Sequence, residues 1–413
     1  MKRYHLAGAA VLAVGALLPS CRHASSFRPP EREGPPALVQ QEKEPRFWLL
    51  LKQEEQRTER VGSYASSQAE TASYYHFDLQ AHDPATAGRL WKKRLRTVRE
   101  EAGGRTTQAR ILGQDGEVVW LFLDDGPVAL SSKDASQLAD RATIEQRNPA
   151  LHDLIPKELN FYAYDGGLVL IAADARRFRI RAGDFVAEPY TAPNESYFRD
   201  VHSRSTVWDG SYATRDFLVR QMMLNGRWIG FFTAAEAEDA GKDDFGRKLA
   251  TGEPGSKPEE PIYHWQQARR TFWSARIGKT KEFPEGTHDR LFDVTRIPDA
   301  PEFLEAGLLI QQGTKRALRL HDPDGFLVLH RTRLGEEGRL GLTRLDDNFK
   351  TKWTATLPLH ELHNRYESPG HLLLFGSVQQ TNGAVTGGSE HLVALNLADG
   401  KTQSWNVNAE KAD

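Results

Sequence analysis

The side chains that could carry chemistry in this chain are few, and they stand far apart. There is one thiol, Cys21. A lone cysteine can form neither an intramolecular disulfide nor a cysteine zinc cluster. In an exported protein it would be a reactive thiol unless something used it. His360-Glu361-Leu362-His363 is the nearest approach to a metal pair. Two histidines three apart can share a helix face, but the helical zinc-protease pattern sets them four apart with the glutamate next to the first. The segment follows Pro358, so His360 and His363 are expected to be exposed histidines in a connection between strands, and no metal site is expected. Asp322-Pro323-Asp324-Gly325 begins like a calcium loop but lacks the further alternating carboxylate and the distant glutamate. A Pro-Asp-Gly turn accounts for it, and Asp124-Asp125-Gly126 reads the same way. There is no Gly-x-Ser-x-Gly elbow, Walker loop or dinucleotide fingerprint. No catalytic residue and no cofactor is expected.

The 413 residues carry a formal net charge of -2, which gives no general attraction to nucleic acid. Two stretches are locally basic, Trp91-Lys92-Lys93-Arg94-Leu95-Arg96 and Arg176-Arg177-Phe178-Arg179-Ile180-Arg181. On strands, alternation sends such charges to one solvated face, so no nucleic-acid partner is expected. With 34 Gly, 21 Pro and 9 Trp against 3 Met, the composition leans towards strands and turns.

The flanks of Cys21 say what uses the thiol. Lys2 and Arg3 form a positive start, residues 6–18 are apolar or small, and Leu18-Pro19-Ser20-Cys21 follows. That is signal-peptide architecture, with an apolar run too short to span a bilayer. Leu18-Pro19-Ser20-Cys21 resembles the bacterial lipobox: Leu18 and Ser20 match it, and Pro19 departs from it. The resemblance implies cleavage before Cys21 and lipid on its sulfur, so the membrane is the expected partner through Cys21. Arg22 in place of aspartate implies sorting to the outer membrane, facing the periplasm, where the host has two membranes. Residues 21–45, rich in Pro, Glu and Gln, are expected to form a disordered tether that lets the folded body stand off from the bilayer. The organisation expected is signal peptide 1–20, tether 21–45 and a folded domain 46–413.

From residue 47, apolar runs of four to eight recur between Gly, Asp, Asn and Pro, at 118–123, 168–172, 228–232, 307–310, 326–329, 372–375 and 392–395. None keeps a helical period, so the fold class is all-β. Segments 132–154 and 234–260 are expected to be helical or irregular insertions. Gly341-Leu-Thr-Arg-Leu-Asp-Asp-Asn-Phe-Lys-Thr-Lys-Trp353 and Leu392-Val-Ala-Leu-Asn-Leu-Ala-Asp-Gly-Lys-Thr-Gln-Ser-Trp405 each combine an alternating strand, an Asp/Asn/Gly turn and a strand carrying Trp. Trp91 ends a similar hairpin, and Val128-Ala129-Leu130 followed by Asp134 is a fainter copy. One whole four-strand unit reads as 303–311, 325–331, 339–345 and 352–357.

These hairpins resemble the quinoprotein-type (PQQ-like) β-propeller repeat, in which an Asp-Gly turn leads to a Trp that plugs neighbouring blades together. Asn396-Leu397-Ala398-Asp399-Gly400-Lys401 with Trp405 matches best. The resemblance implies a β-propeller of roughly seven or eight four-stranded blades, with Trp91, Trp353 and Trp405 as structural blade residues. Lipobox, length and blades together resemble the outer-membrane assembly scaffold lipoproteins of the BamB type. The chain has no cysteine pair, and no acidic base like that of quinoprotein dehydrogenases can be matched in it. The function expected is therefore a non-enzymatic, membrane-anchored scaffold with a protein partner. The alternatives are an enzyme, hydrolase or quinone- or metal-dependent oxidoreductase, with its site in a propeller channel, and a module binding sugar or peptidoglycan.

Overall fold

Short apolar runs without helical period, punctuated by turn residues, fold as antiparallel sheets. The computed structural model describes residues 25–42, 44–61, 68–100, 107–191, 217–240, 269–282, 286–311, 316–321, 324–334, 337–378 and 389–409. These form five antiparallel sheets. Sheet I holds β1 (Ser25–Phe27), β2 (Glu31–Arg32), β3 (Ala37–Val39), β4 (Arg46–Val61), β5 (Gln68–His82) and β6 (Arg89–Arg99). Sheet II holds β7 (Ala109–Asp115), β8 (Val118–Leu123), β9 (Gly126–Ser131) and β10 (Gln137–Ala139), and helix α1 (Arg141–Arg147) follows it. Sheet III holds β11 (Tyr162–Tyr164), β12 (Leu168–Ile171), β13 (Arg177–Ile180) and β14 (Ala187–Pro189). Sheet IV has ten strands: β15 (Leu218–Val219), β16 (Gln221–Leu224), β17 (Arg227–Phe232), β18 (Arg269–Glu282), β19 (Gly286–Arg296), β20 (Phe303–Leu309), β21 (Arg319–His321), β22 (Asp324–Arg331), β23 (Leu340–Leu345) and β24 (Thr351–Thr356). Helix α2 (Ala234–Ala240) follows β17. Sheet V holds β25 (Glu361–Ser368), β26 (His371–Val378), β27 (Ser389–Asn396) and β28 (Thr402–Asn406).

The central strands of sheets I, II and V are apolar on both faces because each of these sheets packs against two others. Val118, Trp120 and Phe122 of β8 pack on Leu168, Leu170 and Ile180 of sheet III. Val119, Leu121 and Leu123 point the other way, onto Trp48, Leu50 and Leu79 of sheet I. Phe47, Leu49 and Leu51 on the opposite side of β4 meet Leu373, Phe375 and Leu392 of sheet V. Leu372, Leu374 and Val393 of sheet V meet Leu327, Leu329 and Leu342 of sheet IV. Sheet IV folds over on itself, with Phe326 and Val328 against Ile229, Phe231 and Phe272. Sheets I and II, II and III, and IV and V thus pack face to face, and sheet V packs on sheet I. Each fully buried Leu or Phe in these seams contributes about 1.5–3 kcal/mol.

One turn recurs in all five sheets. The last strand of each is entered two residues after a residue of positive φ: Ala87, Ala135, Phe185, Phe349 and Gly400. In four of them the preceding side chain accepts the backbone N–H of the following residue: Thr86 from Gly88 (3.3 Å), Asp134 from Ser136 (2.9 Å), Asp184 from Val186 (3.0 Å) and Asp399 from Lys401 (3.1 Å). These are Asx- and ST-type turns. An aromatic from the neighbouring layer covers each turn. Trp91 packs on the cluster that holds Ala135. Trp120 meets Phe185 edge-on at 5.6 Å, and Phe272 meets Phe349 at 4.9 Å. Trp353 lies against Gly400, where an added Cβ would come within 2.7 Å of the indole. Trp405 packs on the cluster that holds Ala87.

Two expectations need correction. Residues 25–39 were expected as tether, yet β1, β2 and β3 pair along β4 in three short antiparallel ladders. Backbone hydrogen bonding holds them, helped by Tyr366, whose hydroxyl donates to the Pro36 carbonyl (2.8 Å), and by Asn408, whose amide donates to that of Pro30 (3.0 Å). Val39 is buried in the seam of sheets I and II and Leu38 packs on the seam of sheets I and V, contacts too few to stand out in a Pro-, Glu- and Gln-rich stretch. Seven or eight four-stranded blades are not what the described residues form. They make five sheets with no closed sheet among them, because the 16- and 15-residue strands β4 and β5 and the 14-residue β18 use up chain that a repeat count assigns to further blades. Of the insertions expected at 132–154 and 234–260, residues 141–147 and 234–240 are helical, and 241–260 lies outside the described residues. The four-strand unit read from the sequence is present as β20-β22-β23-β24 in that order, with β15, β18 and β21 added.

Two consequences can be measured. Gly376 of β26 sits opposite the bulge at Leu362 and Asn364, where a Cβ would overlap the Glu361 carbonyl oxygen. Gly376→Ala is therefore expected to destabilise the protein by about 1–3 kcal/mol, the range for overpacking, as a lower urea midpoint at unchanged slope. His82, at the seam of sheets I and V, is fully buried, with Nδ1 3.0 Å from the Ala87 carbonyl and Nε2 3.0 Å from the Gln80 side-chain amide. Burial pushes its pKa down from 6.5 to about 4. The unfolded chain therefore takes up a proton first as pH falls. The stabilisation is complete above pH 6.5 and is lost progressively towards pH 4, by about 3 kcal/mol in all. Burial lowers His330, His363 and His391 as well, with the same sign. Denaturant melts across that window should show the loss, with a shallower slope in His82→Gln.

Candidate functional site

The densest polar cluster lies on sheet I, towards the end where β4 runs out to Val61. The alternation Gln53, Glu55, Arg57 on β4 and His76, Asp78, Gln80 on β5 puts polar side chains on one face. Register places Glu55 opposite Tyr74, which is opposite Arg99, and Phe27 of β1 opposite Glu55. His76 is buried, with Nε2 2.7 Å from a Glu55 carboxylate oxygen and Nδ1 2.9 Å from both the Thr97 hydroxyl and Arg94 Nη1. Arg94 also donates to Asp78 at 2.6 and 3.1 Å, and Arg57 donates to Glu55 at 2.7 Å. The hydrogen bond from Arg57 holds the Glu55 carboxyl below its usual range.

Thr97, His76 and Glu55 share the outline of a hydroxyl–imidazole–carboxylate relay. The guanidinium decides against that use. Arg94 has only N–H to offer, so it donates to His76 Nδ1 and occupies the lone pair that would have to take the Thr97 proton. His76 then donates from Nε2 to Glu55. The arrangement fastens three strands together and holds no free base.

In the ion pairs at this end the guanidinium is the more exposed partner, with Arg57–Glu55 and Arg99–Glu59 on one face of the sheet and Arg28–Glu54 on the other. Arg28 is 66% exposed and its partner Glu54 15%; Arg57 is 40% exposed and Glu55 5%; Arg99 is 55% exposed and Glu59 27%. Phe27 is 40% exposed on the face of Arg57 and Arg99, its ring 6.0 Å from His76. Arg57 stacks at 4.4 Å over Tyr74, whose hydroxyl donates to Glu59.

The residues singled out in the sequence do not converge here. Cys21 and Asp322 lie outside the described residues. His360 and His363 are not exposed loop histidines: His360 is buried beside Arg331 Nη1 (3.1 Å), and His363 is half-buried on β25 with Nε2 3.3 Å from the Ser377 hydroxyl. The chain after Pro358 enters the sheet at once, and the ladder draws both inward. No group of three metal-ligating side chains occurs among the described residues. The basic stretch on β6 stays exposed at Lys93 and Arg94, and its charges are engaged. Lys92 and Arg94 meet Asp78, Lys93 donates to the Ala135 carbonyl (2.8 Å) and Arg96 pairs with Asp125 (2.6 Å). Trp91 and Trp353 each stand four residues after the positive-φ turn residue, and Trp405 stands five after, so Trp353 and Trp405 are not equivalent positions. Sequence reasoning missed the sheet I network, although its signal was present as polar residues alternating with Phe77, Leu79 and Ala81. No helix among the described residues is long and apolar enough to cross a membrane.

No family model matches the chain, and no curated protein is similar enough to it to count as a relative.

Proposed function

We propose that this chain is a lipid-anchored β-propeller lipoprotein of the cell envelope that binds a protein partner as a scaffold and carries no reaction of its own. The observation that supports the propeller most is the recurring turn: five sheets enter their last strand through a positive-φ residue covered by an aromatic from the neighbouring layer. A blade that cannot bury its faces alone needs such repeated docking. The packing of sheet V on sheet I supports a ring in which the chain ends meet. The scaffold reading draws support from the main polar cluster, whose ionisable groups are engaged with one another. The anchor rests on the lipobox resemblance at Cys21, and Arg22 directs it to the outer membrane of a two-membrane host.

The test is crosslinking in intact membranes, with photoreactive residues placed one at a time on exposed positions of each sheet. A scaffold should give one discrete heteromeric adduct from a contiguous set of positions. Adducts scattered over every sheet, or none, would contradict the scaffold reading.

A further inference from the structure

The position of β1 bears on how the body sits against the bilayer, given the lipid-anchor reading of Cys21. β1 runs antiparallel to β4, with Ser25 opposite Arg57 and Phe27 opposite Glu55. β1 therefore begins, at Ser25, on the side of higher numbers on β4, the end where β4 and β5 run out to Val61 and Gln68. Only four residue steps separate Cys21 from Ser25, so their Cα atoms are at most about 14 Å apart. β4 continues four residues beyond Arg57, a rise of about 13 Å. The acylated sulfur sits at the headgroup layer, itself about 5–8 Å thick on each side of the hydrocarbon core. A tether that short cannot hold the body clear of the membrane.

We propose that the β1/β4/β5/β6 end of sheet I lies against the lipid headgroups of the bilayer that holds Cys21, with the turn at Asp83–Gly88 directed away from it. The chemistry of that end suits headgroups. Phe27 is exposed on the face that carries the guanidinium groups of Arg57 and Arg99, and Arg28 is exposed on the other face of the same end, each guanidinium being more exposed than its carboxylate partner. Exposed aromatics and arginines are side chains that partition to the interface, and the outer guanidinium groups can meet lipid phosphate.

The sole native cysteine is consumed by acylation on this reading, so a single introduced cysteine is the only thiol a dye can reach. Thr71→Cys places it near the proposed membrane end of β5, and Thr86→Cys in the turn beyond the other end; both sites are exposed. The eleven residues from Thr71 to His82 span about 36 Å. Each full-length lipoprotein would be labelled with a nitrobenzoxadiazole dye and placed in phosphatidylethanolamine/phosphatidylglycerol vesicles containing a headgroup-nitroxide lipid. The expected result is loss of most of the emission at position 71 and unchanged emission at position 86. Equal emission at the two sites, or loss at 86 alone, in a chain that floats with the vesicles would overturn the orientation while leaving the anchor intact. A chain that takes up dye at Cys21 and stays out of the vesicle fraction would remove the anchor, and the proposal with it.

Discussion

Trp353→Ala should lower the unfolding free energy by about 3 kcal/mol, at the low end of the range for buried large aromatics because this indole is half-buried. Its ring covers Gly400 across the seam of sheets IV and V, and its N–H donates to the Leu397 carbonyl at 3.1 Å. That carbonyl also accepts from Arg344 at 3.0 Å, so truncation removes packing and one hydrogen bond without orphaning the acceptor. Trp405→Ala should cost less. Trp405 is also half-buried, and its N–H meets no acceptor among the described residues; its contacts are the His82 ring at 5.6 Å and Arg89 at 5.5 Å. Gly400→Ala is strained twice, by a φ of +74° and by the Trp353 ring. Removing Trp353 relieves only the second, so a double-mutant cycle should show a coupling of about 1 kcal/mol or more. Guanidinium melts of the three variants measure this. Near-native stability of Trp353→Ala would mean that the indole does not join the sheets.

Cys21→Ser should convert the protein from one that stays with membranes through a salt wash to one recovered in solution. Each buried acyl CH2 contributes about 0.8 kcal/mol, and one chain alone binds marginally and reversibly. A diacylglyceryl group carries two chains, so its loss is a change of state and not of degree. Fractionation of cells expressing each form shows the shift. Stability should be unaffected, because Cys21 precedes the first strand of the sheets.

The strands were legible because each apolar run is flanked by turn residues, and 118–123 and 372–375 fall within β8 and β26. Their burial on both faces, which the runs imply, required only that sheets stack. The repeat was legible at one place, Asp399-Gly400, where the residue of positive φ is glycine. Elsewhere that position holds Ala87, Ala135, Phe185 or Phe349, residues that seldom adopt it, and composition hides the turn. The aromatic in the adjacent layer supplies a tertiary contact that no local pattern contains. The same limit applies to β1, β2 and β3, whose order comes from pairing along β4 and from the few apolar contacts of Ala37, Leu38 and Val39. At the polar cluster, the alternation on β5 carries the signal of a polar face, whereas the partners of its side chains come from β4 and β6, which no local pattern shows.

Anchorage through Cys21 underlies both the envelope role and the orientation of sheet I, and metabolic labelling tests it most directly. Cells expressing the native chain or Cys21→Ser would be fed radiolabelled palmitate and the protein immunoprecipitated. Label in the native band and none in the variant is the result expected. Equal labelling of the two, or none in either, would contradict it.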